Sequence, residues 1–376
     1  MKDQKETERT EIIRVLMVCG RLRIGGAEKV AYEIGMHCDP VRIRIDYVVF
    51  FDEIGEYEAP LKKKGHRVIR MPLPAAGYGR FVSALRELMK KNRYRVVHSH
   101  TMFNSGLVLA VARQMKVPIR ISHAHTISSM RRTGPRQVYE KIMRRLIVSC
   151  ATDLVACGQA AGNWLYGEKT FQRRGQLIMN GVDVRKFRYD PEIGKQIRER
   201  YGLTDRFVIG HVGRMAPEKN QIFLVELLPE ILRNRRDAAL LLVGDGEQRE
   251  MLTAQVEKMG LSENVIMTGN RLNVQDYLNA MDVFILPSVF EGMPLSVLEV
   301  QSNGLACVLS RAVPRDVYLT DLIRTASLDD PPEKWISLIL DAARKHPEQY
   351  NTRMLRSGFD IQDMVNKIYE IYERVE

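Results

Sequence analysis

At 376 residues, 45% hydrophobic and 27% charged, the chain is too long for one ordinary core and too apolar to be disordered, so two globular domains are expected. Its formal net charge of +11 is uneven: up to Arg185, 33 Lys and Arg stand against 17 Asp and Glu, a balance of +16, and the remainder is at −5. No run approaches the roughly 18 apolar residues of a spanning helix, and the opening MKDQKETERTE lacks the apolar stretch of a signal peptide, so neither a membrane span nor export by that route is expected.

Along the chain, IIRVLMVCG (12–20) predicts a strand, and IGGAEKVAYEIG a glycine turn opening into a helix. IDYVVF, RVVHSH, PIRISHAH and DLVACG read as further strands, with helices YGRFVSALRELMKKN, NSGLVLAVARQM and YEKIMRRLIVSCA between them. The stretch IMNGVDVRKFRYDPEIG gathers Asn-Gly, Asp and Pro turn signals, and a new strand series follows it. Strands RFVIGHV, AALLLVG, NVIMTG and DVFILPS then alternate with helices, the last of them PLSVLEVQSNG. Continuous apolar strands in strict β/α alternation predict α/β architecture with two doubly wound parallel sheets. The expected division is residues 1–182, 183–355 and a final helix within 356–376 packing back on the first domain. Five cysteines, an odd number without CxxC spacing, predict buried reduced thiols in a cytoplasmic protein.

Ligands of open α/β sheets bind beyond the carboxyl ends of the strands, so chemistry is sought there. In FEGMPLSVLEV (290–300), Pro294 suits a first helical turn, and the amides from Gly292 through Met293 and Leu295 form an anion site fit for a diphosphate. Glu291 precedes that turn and Glu299 lies one and a half turns into the helix, where it reaches a ribose; a nucleotide diphosphate is expected between the two acids. Arg214 and Lys219, in the loop after another strand, can clamp phosphate oxygens and neutralise a leaving diphosphate. Gly244, in a GxG turn, and Arg271 and Leu272, after a fourth strand, are candidates to meet the nucleotide. Gly25 and Gly26 let backbone approach a ligand from the first domain. His98 reads as structural and His125 as a contact to a sugar hydroxyl or leaving group. Zinc is disfavoured because no third and fourth ligands stand at familiar spacing, and the absence of Asp-x-Asp removes the usual ligands of a diphosphate-bound metal.

Together IGGAE, His125–Thr126, NGVD (180–183), GRMAPEKN, GDGEQ and EGMPLSVLE resemble glycosyltransferase family 4, with its GT-B architecture of two Rossmann-like domains facing a cleft. SHAHT and SRAVPRDVYLTDLI are similar to its bacterial capsule and exopolysaccharide subgroup. The resemblance implies roles: Glu291 at the donor sugar, Glu299 on the ribose, Arg214 and Lys219 on the diphosphate, His125 beside the sugar, Asn180 lining the cleft. It also implies retention of configuration, no cofactor and no bound metal. One departure stands out: after SRAVPRDVYL the chain lacks the Gly-Gly-x-Gly-type loop of many relatives.

The expected activity is transfer of a sugar from a nucleotide-sugar donor, a UDP-sugar, to a glycan or lipid-linked oligosaccharide acceptor. The basic first half, with Arg131, Arg132, Arg136, Lys141, Arg144 and Arg145, is expected to contact an anionic membrane surface from the cytoplasmic side. A nucleotide-sugar epimerase of the same architecture is the enzymatic alternative. A nucleic-acid-binding protein is the other, against which no aromatics interleave the basic clusters and no binding motif appears.

Overall fold

The computed structural model describes residues 12–73, 77–125, 134–342 and 348–374. Contacts divide the chain into two compact units, residues 1–180 with 362–376, and residues 181–361.

The first unit holds a seven-stranded parallel sheet of β1 (Ile13–Gly20), β2 (Ile43–Val49), β3 (Arg67–Arg70), β4 (Val96–Ser99), β5 (Ile119–Ala124), β6 (Asp153–Ala156) and β7 (Gly175–Leu177), in the order β3-β2-β1-β4-β5-β6-β7. The second holds six strands: β8 (Phe207–Val212), β9 (Ala238–Val243), β10 (Val265–Met267), β11 (Val283–Leu286), β12 (Cys307–Ser310) and β13 (Ile323–Ala326), ordered β10-β9-β8-β11-β12-β13 and again parallel. In both, strand order reverses beside the unit's first strand, between β1 and β4 and between β8 and β11, and a crevice opens at such a reversal. The expected doubly wound α/β class is thus what the chain adopts.

β9 and β11 are apolar throughout, with every residue buried, as befits strands covered on both faces. Strands the sequence reading did not mark are short or at edges. β7 has three residues, and β13 reads Ile-Arg-Thr-Ala with Arg324 exposed. The four residues of β12, by contrast, are all buried. All five cysteines are buried free thiols.

The helix Ile361–Glu373 returns the chain to the first unit. Its apolar face buries Val365, Ile368 and Tyr372, Tyr369 Oη donates to Ile34 O at 2.7 Å, and Arg374 pairs with Asp153 at 2.8 Å. Among the described residues no helix is long and apolar enough to cross a membrane.

Candidate active site

In the second unit, β8 runs into Gly213 and a loop ending in the short turn Pro217–Lys219, and Asn220 takes a left-handed conformation (φ 55°) to start the helix Gln221–Asn234. The loop is pinned from beneath. Buried His211 meets Ile285 O through Nδ1 at 2.9 Å, which makes Nδ1 the protonated nitrogen, so Nε2 accepts from Gln221 Nε2 at 3.1 Å. Gln221 also donates to Arg214 O at 2.8 Å. Burial pushes the His211 imidazole down to about 4, with Lys219 adding to the effect, so the ring is neutral and the tautomer stays set.

Lys219 points along this loop to the residues after β11. Its Nζ donates to Glu291 Oε1 at 2.7 Å, and Ser288 Oγ donates to the same oxygen at 2.6 Å. Asn220 Nδ2 binds Pro287 O at 3.2 Å and Val289 N binds Glu218 O at 2.9 Å, so the two loops that flank the β8–β11 reversal are stitched together. Arg214 is not part of this cluster. It is 58% exposed and held by Glu218 at 2.9 Å and Glu247 at 3.6 Å. Pro294 occupies the cap position rather than the first turn, and the helix is Leu295–Asn303. Val297 N donates to Pro294 O at 3.1 Å, while the amides of Leu295 and Ser296, at the helix start, make a positive end beside Glu291 and exposed Gly292, with Met293 between. Glu299 lies on this helix and is buried, 3% exposed.

The glycines after β9 answer to close packing. A Cβ on Gly244 (φ 141°) would stand 2.1 Å from Gly213 O, and one on Gly246 would stand 2.3 Å from Met215 O. Both glycines let the β9 loop lie against the β8 loop that carries Arg214. Past β10, Arg271 reaches Tyr201 Oη at 3.3 Å and lies over the Tyr277 ring, and Leu272 is exposed.

The first unit carries the remaining predicted residues. Gly25 caps the helix Gly26–His37 in extended conformation; a Cβ there would meet Glu28 Oε2 at 2.6 Å, whereas one on Gly26 would meet nothing within 4 Å. Burial raises the Glu28 carboxyl. Asn180 is buried, and its Oδ1 has no hydrogen-bond partner. His125, after β5, is paired through Nε2 with His100 Nδ1 at 2.7 Å; its Nδ1 is buried and unpartnered, and burial pushes the ring down to about 3. Thr126 lies outside the described residues. His98 is satisfied on both nitrogens, by Tyr372 Oη at 2.7 Å and His123 Nδ1 at 3.2 Å.

Two family descriptions match consecutive parts of the chain, Glycosyltransferase Family 4 over residues 24–186 and Glycosyl transferases group 1 over residues 206–344. The EpsF protein of Bacillus subtilis is 29% identical over 370 residues, 96% of each chain. An Escherichia coli enzyme named UDP-Gal:alpha-D-GlcNAc-diphosphoundecaprenol alpha-1,3-galactosyltransferase is 30% identical over 303 residues, 77% of this chain and 78% of that one. The chain belongs to glycosyltransferase family 4. In fold it is similar to the Anabaena HepE structure in complex with UDP-glucose, with a TM-score of 0.76 at 20% identity over 95% of this chain and 98% of that one. The architecture of this glycosyltransferase is accordingly GT-B.

For this family 4 enzyme, several supporting residues escaped the sequence reading. Ser288, His211 and Gln221 hold the loops of Glu291 and Arg214 but lie in apolar or unremarkable surroundings along the chain. Gln301 is another. Fully buried, it accepts from Leu319 N, Thr320 N and Thr320 Oγ1 at 2.9–3.0 Å, pinning the segment where the Gly-Gly-x-Gly-type loop is missing. The basic cluster needs a correction. Arg131 and Arg132 lie outside the described residues. Arg144 is turned into the fold, where it stacks on Phe103 and Trp164 and binds Trp164 O. Arg136, Lys141 and Arg145 are exposed.

Proposed function

We propose that the enzyme transfers a sugar from a UDP-sugar, with retention of anomeric configuration, to a lipid-linked glycan intermediate of the cell surface. The observation that carries this reading is the pairing of Lys219 and Ser288 with one oxygen of Glu291 at the β8–β11 reversal, beside the positive end of the helix Leu295–Asn303. A cation, a carboxylate and free amides stand together where a charged diphosphate and a sugar rich in hydroxyls would need them. The UDP-linked donor and the diphosphate-linked acceptor in the name of the Escherichia coli relative, and the UDP-glucose bound to HepE, support the choice of substrates. Residues 181–361 would bind the donor, and residues 1–180 the acceptor.

The chemistry asks for positioning and leaving-group stabilisation. The bond from the anomeric carbon to the β-phosphate oxygen breaks, and its electron pair leaves with the diphosphate. Lys219, Arg214 and the amides of Met293 and Leu295 receive that charge. The acceptor oxygen bonds to the same face of the anomeric carbon, and its proton passes to the departing phosphate oxygen. Glu291 orients the sugar and Glu299 the ribose, and His125 and Asn180 are assigned to the donor. Gly244, Arg271 and Leu272 frame the nucleotide. No resident metal is required.

The test is incubation with UDP-glucose, UDP-galactose and UDP-GlcNAc, with and without a GlcNAc-diphosphate-lipid acceptor, followed by NMR of the product anomer. Acceptor-dependent UDP release with an α-linked product is expected. A β-linked product would overturn retention, and UDP-sugar turnover without acceptor to an epimer would overturn transfer.

A further inference from the structure

Four histidines in and just after β4 and β5 form an array, of which sugar transfer accounts for His125 alone. Residues two apart on a strand face the same way, so His98 and His100 share one face of the sheet, as do His123 and His125. β4 pairs with β5 at His98↔Ile121 and Ser99↔Ser122, and one further step sets His100 opposite His123. Two His-x-His pairs, unremarkable along the chain, thereby become a block of four imidazoles at the carboxyl end of the sheet. Ring centroids are 4.3 Å apart for His98–His100, 4.2 Å for His123–His125, 5.3 Å for His98–His123 and 5.1 Å for His100–His123.

His98, His100 and His123 are all buried, and one ring nitrogen of each lies within 4.8 Å of the other two. Among the described residues this is the one group of three or more such side chains placed so closely. The Nε2 atoms of His100 and His123 are buried without any hydrogen-bond partner. A buried imidazole nitrogen is normally partnered, so the array is short of a partner: the free Nε2 of His100 can give its lone pair to an ion that His98 Nε2 and His123 Nδ1 also reach. His98 Nδ1 is meanwhile fixed by Tyr372 Oη, the outer contact that commonly orients a ligating imidazole.

We propose that His98, His100 and His123 bind one first-row transition-metal ion, Zn2+ fitting best, with water in the fourth position. Neutral nitrogen donors without an oxygen ligand favour Zn2+, Co2+, Ni2+ or Cu2+ and disfavour Mg2+ and Ca2+. With Zn–N of about 2.0–2.1 Å, tetrahedral ligand nitrogens stand roughly 3.3 Å apart. His98 Nε2 and His123 Nδ1 are already 3.2 Å apart, and small ring rotations bring in the third. The ion ties the ends of β4 and β5 through His98 to Tyr372 on the C-terminal helix. It is separate from the residues assigned to the diphosphate, which belong to the other unit, and it does not depend on which donor the enzyme uses. Ligation through the free Nε2 of His100 leaves its Nδ1 contact with His125 in place.

The test uses the full chain, stripped with chelator, dialysed, and titrated with Zn2+ against a chromophoric chelator. One equivalent is expected, with a raised melting temperature, and Mg2+ should have no effect. H100Q and H123Q should each lose on the order of 100-fold or more in affinity, and Y372F about 10- to 100-fold. H125Q, which removes the outer contact of His100 Nδ1, should lose affinity to the same extent as Y372F. Co2+ supplied in place of Zn2+ should give the intense visible bands of a tetrahedral site in the wild-type chain, a readout that needs no variant to fold. Absence of stoichiometric binding, absence of those bands, or undiminished affinity in folded H100Q and H123Q would each overturn the proposal. The array would then be a hydrogen-bonded polar cluster only.

Discussion

Lys219 Nζ and Ser288 Oγ converge on a single oxygen of Glu291, at 2.7 and 2.6 Å. Cation and acid are therefore one unit, even though the reading of the sequence gives them separate partners, diphosphate and sugar. The ammonium can turn toward an incoming phosphate while Ser288 keeps the carboxylate in place.

It follows that their substitutions should not add. K219A and E291Q should each cost about 2–4 kcal/mol of transition-state stabilisation, the range for one preorganised charge-stabilising donor. The double variant should cost clearly less than the sum, because each single change already breaks the shared contact. Calorimetry separates the acids further. E291Q should leave UDP affinity nearly intact and E299Q should reduce it, since only Glu299 is assigned to the ribose. Equal loss of UDP affinity in the two variants would sink that assignment.

Arg214 presents the opposite case. Its partners are the exposed acids Glu218 and Glu247, and an exposed pair is worth about 0–1 kcal/mol, so exchanging it for phosphate is cheap. R214A should slow transfer with unchanged thermal stability, and R214K should recover only part if the phosphate contact is bidentate. Near-normal kcat/KM in R214A would remove the residue from the mechanism.

Chelation supplies a third test. With Lys219, Arg214 and amides to receive the diphosphate charge, transfer should persist in excess EDTA. Loss of activity that magnesium or manganese restores would show that the phosphate site is misplaced.

How much of this was legible in the sequence depended on range. The apolar runs of β8, β9 and β11 announced buried parallel strands, because burial on both faces leaves no other pattern. β7 and β13 were silent, being edge strands of three and four residues with polar positions. β12, though fully buried, was passed over at four residues. The acids and cations at strand ends were visible as residue types in loops, yet their pairing was not, since 72 positions separate Lys219 from Glu291. The four-histidine array was hidden for the same reason. Ligand spacing was sought along one segment, while the register between β4 and β5 supplies the missing members. Pattern shows which face a side chain takes, and only pairing shows what it meets there.

The buried histidines also make stability depend on pH. Burial holds His98, His100 and His123 well below the ordinary value of 6.5, and brings His211 to about 4 and His125 to about 3. Folded values below unfolded ones mean that the unfolded chain takes protons first as pH falls. Their contribution is complete above about 6.5 and is lost progressively below it, each histidine removing up to about 1.4 kcal/mol per pH unit until its folded value is reached. Urea midpoints of metal-free protein at pH 7.5 and 5.5 should therefore differ strongly, with the lower pH less stable. Equal midpoints would show that the rings protonate in the folded chain without cost.

Membrane contact is the last expectation, and the structure narrows it. The helix Pro135–Cys150 exposes Arg136, Lys141 and Arg145 together with Val138 at 60% and Ile142 at 48%, and exposed Tyr78 lies beside Tyr139 of this helix, the rings tilted by 32°. Basic residues beside outward-facing apolar ones suit a headgroup layer, where each cation contributes about 1 kcal/mol and the attraction fades within a Debye length. Arg144 does not belong to this face, so R144E would unsettle the packing against Phe103 and Trp164 and test nothing about lipid. The informative variant is R136E/K141E/R145E. It should release the protein from vesicles containing phosphatidylglycerol while its UDP-sugar hydrolysis is retained, the donor being assigned to the other unit. V138S/I142S should weaken binding with less dependence on salt, because it removes apolar insertion and leaves the charges. Failure of the wild-type protein to sediment with anionic vesicles at low salt would end the membrane reading, and the face would then fit a soluble acidic acceptor.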